Sequence, residues 1–134
     1  MELVEVTNKE QISNTHIRDQ FAASTPMIYS RRFLAAESGA EVGFLHAEFW
    51  PVEEDRFVIY EIFVPASLRR RGIGTWLLAA AEEMARDLGH KSVLLVPRAG
   101  DATFDQRRLE EWYASKGYVL LEDDGNGAYV KQVG

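Results

Sequence analysis

Three consecutive arginines, residues 69–71, stand directly before Gly72 and Gly74 in a chain of formal net charge −6. An apolar-periodic segment follows, and it predicts a helix from about Gly72 to Leu88. The first turn of a helix has four backbone N–H groups without intrahelical partners, and the helix dipole adds partial positive charge there. Glycine lets a ligand approach the backbone closely, and arginine stays charged at any physiological pH. The segment therefore predicts an anion site suited to phosphate.

Three kinds of phosphate loop are compatible with glycines at a helix start, and two of them fail here. The P-loop needs a lysine after its second glycine, but Thr75 follows Gly74. The dinucleotide fingerprint needs a third glycine where Leu77 stands, and it belongs in a leading βαβ unit, whereas four predicted strands precede this loop. The pattern [RQ]-x-x-G-x-[GA] is matched in full by residues 69–74.

The elements that must position this loop follow from periodicity. The pattern predicts the order β, α, β, β, β, α, β, α, β, β, which is a mixed sheet with helices on its faces. The predicted strands cover Leu3–Thr7, residues 27–37 and 41–50 around a turn at 38–40, Phe57–Val64, residues 91–98, and a closing hairpin around 124–127. The predicted helices cover residues 7–21 with a Thr7–Glu10 capping box, 72–88, and 101–118 with a Thr103–Gln106 capping box. A helix lies between Phe57–Val64 and residues 91–98, so these two buried strands should be parallel.

Composition bounds the class of protein. The 134 residues predict a single domain, 1–134, and the absence of cysteine excludes disulfides and thiolate metal sites. A sequence pI of about 5.1 argues against nucleic acid as a partner. No apolar run approaches the length of a membrane span, and the N-terminal residues do not resemble a signal peptide. We therefore expect a cytoplasmic protein with no nucleic-acid and no membrane partner.

Two blocks of the sequence resemble one family. The loop pattern, within "IFVPASLRRRGIGTWLL" at 62–78, resembles the acyl-CoA pyrophosphate loop of the GNAT superfamily of N-acetyltransferases. The block "LEEWYASKGYVL" at 109–120 resembles the later helix block of that family, in the same order and at a fitting distance. The resemblance covers the chain from about Met27 onward. It implies an α/β fold of the mixed α+β kind, with a mostly antiparallel sheet splayed between the parallel strands Phe57–Val64 and Ser92–Pro97.

The resemblance also implies which residues hold acetyl-CoA, and it implies no metal. The backbone of Ile62, Phe63 and Val64 would pair with the pantetheine arm, and the amides of residues 70–75 would hold the pyrophosphate. Arg69 or Arg70 would also reach the 3′-phosphate. The cofactor-binding set is therefore Ile62, Phe63, Val64, Arg69, Arg70, Arg71, Gly72, Ile73, Gly74, Thr75 and Gln106. Gln106 stands where many members have asparagine, and it either contacts the cofactor or closes the capping box.

Tyr113 matches the family tyrosine that protonates the departing thiolate, and its alternative role is that of a core aromatic residue beside Trp112. Glu61 is the first candidate for the general base, since it is the one carboxylate inside an apolar strand. Strict alternation places it on a face shared with Phe57, Ile59 and Phe63, where burial would raise its pKa.

Several alternatives to a Glu61 base stay open. In one alternative, Glu61 forms a buried ion pair with an arginine. In another, it binds the cationic substrate without accepting a proton. His46 and Glu48 are weaker candidates for the base, and for His46 a structural role is favoured. A water relay would make no single residue essential.

The implied activity is transfer of an acetyl group from acetyl-CoA to a primary amine of a small molecule or a peptide. Residues 53–55 form an acidic loop that either attracts a cationic acceptor or is simply solvated. The alternatives are a catalytically silent acyl-CoA-binding sensor and a protein-interaction module, in which the last strands form a homodimer.

Overall fold

The computed structural model describes residues 1–98, 105–121 and 127–134. Seven strands form one sheet in the order β1-β2-β3-β4-β5-β7-β6. The strands are β1 Glu2–Val6, β2 Ser30–Glu37, β3 Ala40–Phe49, β4 Phe57–Phe63, β5 Ser92–Leu95, β6 Val119–Leu120 and β7 Tyr129–Gln132. The α-helices are α1 Thr15–Ala23, α2 Ile73–Asp87 and α3 Gln106–Ser115. The predicted mixed α/β class is confirmed.

The sheet has one parallel contact. β4 pairs with β5 in parallel through Val58 opposite Leu94 and Ile59 opposite Leu95, whereas the other neighbouring strands are antiparallel. The pairing ends at Ile59 although β4 continues to Phe63. The two strands therefore separate toward the carboxyl end of β4, as the predicted splay requires.

The two faces of the sheet carry separate cores. On one face, Phe57 and Ile59 of β4 belong to a core with Leu77 of α2 and Tyr113 of α3. On the other, α1 packs on β1 to β4 through Val6, Ile12, Ile17, Phe21, Leu34, Phe44 and Phe63. α2 packs very closely on β3. A Cβ atom added at Gly43 of β3 would stand only 2.8 Å from Leu77 Cδ1 of α2.

The predicted helix over residues 7–21 is confirmed only from Thr15 onward, and its predicted start at Thr7 is wrong. Asn8, and not Thr7, caps a 3-10 turn at Lys9–Gln11, with a capping box closed by Gln11. Ile12 then returns to an extended conformation and is buried, and Asn14 caps α1 anew through the amide of Ile17. The two asparagines stop and restart the helix because their side chains satisfy backbone donors locally.

The last helix starts with a different cap from the predicted one. Asp105 accepts from the amide of Arg108 at 3.1 Å, so Gln106 is the first helical residue. Thr103 of the predicted capping box and most of the predicted turn at 124–127 lie outside the described residues. The closing strands β6 and β7 are antiparallel, as predicted. In the described part of the chain, no helix combines the length and apolarity needed to cross a bilayer.

Candidate active site

The arginine–glycine loop connects β4 to α2. A 3-10 turn at Ala66–Leu68 leads into it, and Gly72 is the N-cap of α2 with φ of 79°. Arg70 also takes a positive φ, of 68°. Arg69 Nε donates to the carbonyl oxygen of Val64 at 3.0 Å, which folds the start of the loop back onto the end of β4. The loop therefore opens the first turn of α2 toward the space beside β4.

That space is a cavity of about 630 Å³, here called the first cavity. It is within the range typical of small-molecule sites. Most of the predicted binding residues line it, namely Ile62, Phe63, Val64, Arg69, Arg70, Gly72, Ile73, Gly74 and Thr75, and Tyr113 lines it as well. Sequence reasoning missed Arg98 and Arg108, which also line it and carry positive charge.

Two predicted cofactor residues do not line the first cavity. Arg71 is exposed on the loop and absent from the cavity wall. Gln106 donates to the Pro97 carbonyl at 2.8 Å and to Glu110 at 2.9 Å. Its side chain therefore joins the start of α3 to the chain that follows β5.

The glycines leave the backbone accessible in the first cavity. A Cβ atom at Gly72 would meet nothing within 4 Å, so open space lies beside the backbone at this residue. A Cβ atom at Gly74 would be 3.6 Å from the Trp112 ring, which is ordinary van der Waals contact. The loop thus offers helix-start N–H groups together with Arg69 and Arg70, which is a suitable cradle for a diphosphate.

Tyr113 lies at the end of the first cavity and is only 5% exposed. Its ring makes edge contacts with Trp112 and with Tyr118, at centroid distances of 4.9 and 5.8 Å. Burial raises the pKa of its phenol, and the negative charge of Glu61 raises it further. The phenol is therefore protonated at neutral pH and can act only as a proton donor.

Tyr118 is held by a buried carboxylate of α2. Its hydroxyl donates to Glu82 at 2.9 Å, and Lys131 of β7 donates to the same carboxylate at 3.1 and 3.2 Å. This network ties α2 to the C-terminal strands and fixes one of the two rings that pack on Tyr113.

The prediction that Glu61 shares a face with Phe57 and Ile59 is wrong. In the pairing of β3 with β4, His46 stands opposite Glu61 and Ala47 stands opposite Ile59, so Tyr60 is an extra residue in a β-bulge. Phe57 and Ile59 point into the core with α2. Glu61 instead lines a second cavity on the other face.

The second cavity measures about 350 Å³. Its wall is formed by β3 and β4, by the end of α1 and the segment that follows it, and by the segment that follows β5. The lining residues are Ala23, Ser24, Thr25, Met27, His46, Tyr60, Glu61 and Arg98. Arg98 lines both cavities, so the two cavities have in common a wall residue from the segment that follows β5.

Burial raises the pKa of Glu61 to about 7. Within the described ranges Glu61 has no ion pair, so the buried arginine pair considered above is not formed there. A carboxylate with this pKa is about half ionised at neutral pH and is a competent proton acceptor.

The other predicted bases are less suited to accept a proton. His46 is buried with its Nε2 2.7 Å from Ser30 Oγ, and burial, aided by Arg32, lowers its pKa to about 4. Glu48 is buried and accepts a short hydrogen bond from Tyr60. In the described part of the chain, no group of three or more His, Asp or Glu side chains is arranged to hold a metal ion.

Comparison with known proteins identifies the family. Residues 4–118 match the Acetyltransferase (GNAT) family. No curated protein matches the chain significantly. Solved structures are similar at low identity, and each such likeness shows the fold alone.

Three of these structures are described here. A GNAT family acetyltransferase from Elizabethkingia anophelis, with acetyl-CoA bound, has a TM-score of 0.67 at 14% identity, covering 98% of this chain and 97% of that one. A GNAT family acetyltransferase from Staphylococcus aureus has a TM-score of 0.62 at 16% identity, covering 78% and 68%. PaiA N-acetyltransferase from Thermoplasma acidophilum, in complex with coenzyme A, has a TM-score of 0.58 at 17% identity, covering 75% of this chain and 59% of that one. The matched residues span most of the chain, which therefore belongs to the GNAT family of acetyltransferases.

Proposed function

We propose that the chain is a single-domain N-acetyltransferase, which transfers the acetyl group of acetyl-CoA to a primary amine of a small molecule or a peptide. One observation carries the proposal. Residues of the loop at 69–75 and Tyr113 line one and the same cavity, and this first cavity shares Arg98 with the second cavity, which Glu61 lines. A thioester held along the first cavity would thus lie between a proton donor and a proton acceptor.

Binding of acetyl-CoA is supported by three features of the first cavity. The open start of α2 suits the diphosphate, and Arg69, Arg70 and Arg108 supply positive charge. Beyond Ile59, β4 no longer pairs with β5, so the backbone at residues 60–63 is available to an extended ligand arm. The apolar side chains of Leu68 and Leu109 line the same wall.

The proposed reaction uses this chain's residues for two proton transfers. Acetyl-CoA supplies the acetyl group as a thioester. Glu61 accepts a proton from the ammonium group of the acceptor, either directly or through one water, and the freed nitrogen forms the amide bond as the C–S bond breaks. Tyr113 donates its proton to the departing thiolate sulfur and is reprotonated by the second proton that the nitrogen loses as the amide forms, while Glu61 releases its proton to solvent.

The electrostatic link between Glu61 and Tyr113 favours this order of events. After burial, the charge of Glu61 is the second cause of the raised pKa of Tyr113. When Glu61 takes up a proton, that charge disappears and the phenol becomes more acidic. Proton uptake at one residue therefore promotes proton release at the other.

The test is to measure release of CoA from acetyl-CoA with a panel of amino acids, polyamines, aminoglycosides and peptides. Turnover with at least one primary amine supports the proposal. Tight binding of acetyl-CoA without turnover of any amine would instead identify a silent sensor. If calorimetry shows no binding of acetyl-CoA, both functions are excluded.

A further inference from the structure

A row of three side chains crosses the sheet on the face of the second cavity. Arg32 of β2 stands opposite His46 of β3, and His46 stands opposite Glu61 of β4. Directly opposite residues of paired strands point to the same face. Strand spacing of about 4.8 Å places the backbones of Arg32 and Glu61 roughly 10 Å apart. α1 covers the neighbouring apolar row of Leu34, Phe44 and Phe63, so this polar row begins where the cover of α1 ends.

Arg32 is a fixed, partly buried cation without a carboxylate partner among residues 1–98, 105–121 and 127–134. Its guanidinium lies 3.9 Å from the centre of the Phe21 ring, and Nη1 donates to Ser24 Oγ at 3.1 Å. Ser24 lines the second cavity. Arg32 itself is not among the residues that line the cavity, so its guanidinium lies behind Ser24, and burial lowers its pKa.

Among the described residues, the wall of the second cavity carries one carboxylate, that of Glu61. The buried Glu48 stands opposite Val58, near the start of β4, and accepts a hydrogen bond from Tyr60. His46, between Arg32 and Glu61 in the row, is neutral at physiological pH. Arg98 supplies a cation to the wall. Glu61 is thus flanked by two guanidinium groups, Arg98 from the segment after β5 and Arg32 from across β3.

We propose that the acceptor is a small amine that also bears an anionic group, a carboxylate or a phosphate, as in an amino acid. This inference rests on the proposed acetyltransferase function. The amine lies at Glu61, beside the thioester, and the anionic group lies toward the guanidinium groups that flank Glu61, Arg98 in the cavity wall and Arg32 behind Ser24. Guanidinium groups bind carboxylate and phosphate through paired hydrogen bonds, and the cavity volume suits a small molecule. Polyamines and aminoglycosides, which bear only cations, would leave the arginines uncompensated.

The test compares kcat/KM for acceptors that differ only in the anionic group. Each amino acid of a panel is paired with its α-amide and its decarboxylated amine, and O-phosphoethanolamine is paired with ethanolamine. We expect the anionic member to be preferred by roughly ten- to hundredfold for the best acceptor. The two kinds of pair distinguish a carboxylate from a phosphate.

Variants assign the preference to the arginines. Arg32→Gln should reduce the preference for the anionic acceptor, chiefly through KM, and leave turnover of the uncharged partner nearly unchanged. Arg98→Gln should also reduce the preference, and it should weaken binding of acetyl-CoA as well, because Arg98 lines the first cavity too. The matched control is Arg31→Gln, because Arg31 is the adjacent residue on β2. It forms an ion pair with Glu5 at an N···O distance of 2.8 Å, and it does not line the second cavity. This control variant should keep the preference intact.

The outcomes separate this inference from the proposed function. If uncharged or polycationic amines are acetylated as well as anionic ones, or if the arginine variants keep the preference, the acceptor assignment is overturned and the transferase stands. If no amine is acetylated, the proposed transferase function is refuted. Calorimetry of the same acceptor pairs with the CoA-loaded protein then decides whether the acceptor assignment holds. Binding of the anionic members that depends on Arg32 upholds it, and its absence refutes it.

Discussion

The carboxylate of Glu61 acts on the phenol of Tyr113, although the two side chains belong to opposite faces of the sheet. Glu61 lines the second cavity, whereas Tyr113 belongs to the core with α2 and lines the first. The charge of Glu61 nevertheless raises the pKa of the phenol. Glu61 follows Ile59, the last residue of β4 that pairs with β5, so we expect the acetyl group to be transferred where these two strands have separated.

Replacing Tyr113 with phenylalanine should lower kcat by about a hundredfold or more, because the thiolate would leave without a proton donor. The affinity for acetyl-CoA should change little, since the ring and its contacts remain. Tyr129→Phe is the matched control, because Tyr129 lines neither cavity. Steady-state kinetics and calorimetry measure both quantities, and unchanged turnover in Tyr113→Phe would remove Tyr113 from the mechanism.

The rate should rise with pH through about 7, because Glu61 must be ionised to accept a proton and burial raises its pKa to about 7. Glu61→Gln should lower kcat and lose this limb of the profile. Any limb that comes from the acceptor amine should persist in both proteins. A pH–rate profile with the same acceptor measures this, and an identical limb near pH 7 in the variant would show that another group is titrating.

Stability should depend on pH through the same carboxylate. Its folded pKa of about 7 lies above the ordinary value of 4.5, so between these values the native state binds more protons than the unfolded chain. Ionisation of Glu61 therefore destabilises the fold as pH rises, by roughly 3 kcal/mol across this window. His46 has a lowered pKa of about 4 and contributes in the opposite direction.

The difference in unfolding free energy between Glu61→Gln and the unsubstituted protein isolates the Glu61 contribution. We expect the free energy of unfolding of Glu61→Gln, measured by urea titration, to increase relative to that of the unsubstituted protein between pH 5 and pH 8. A difference that is independent of pH would mean that Glu61 is solvated at its ordinary pKa.

Gly72→Ala should weaken binding of acetyl-CoA, because the added methyl group would project into the first cavity where the diphosphate is expected. It should also cost about 1 kcal/mol of stability, since φ at Gly72 is 79°. Gly39→Ala is a closely matched control. Its φ is 82°, and a Cβ atom there also meets nothing within 4 Å, but it lies in the turn between β2 and β3.

Thermal denaturation should show similar losses for the two glycine variants, while calorimetry should show weaker binding only for Gly72→Ala. Equal affinities in the two variants would place the diphosphate elsewhere.

The elements with long periodic patterns were predictable from the sequence, and so was the arginine–glycine loop between β4 and α2. The repeat from Ile73 onward and the stop at Gly89, whose φ is 90°, define α2 almost to the residue. The parallel pairing of β4 with β5 follows from the intervening helix. These features depend on local sequence and chain connectivity, which a single sequence displays.

The features that were missed depend on pairing between strands. The bulge at Tyr60 is created by the register against β3, and nothing within residues 57–64 signals it, so the face assigned to Glu61 was wrong. Arg32 likewise gains its place beside the second cavity from strands that are distant in sequence. Its neighbour Arg31 has the same side chain but forms an ordinary ion pair with Glu5.

The bulge at Tyr60 determines how the second cavity can be altered by mutation. A regular strand presents every second side chain to a given face, but here Tyr60 and Glu61 are consecutive and both reach the second cavity. Removing Tyr60 would restore an unbroken ladder in which Ile59 and Glu61 keep their partners on β3. A one-residue deletion is thus a route to a wider second cavity that leaves both Glu61 and the loop at residues 69–75 in the sequence.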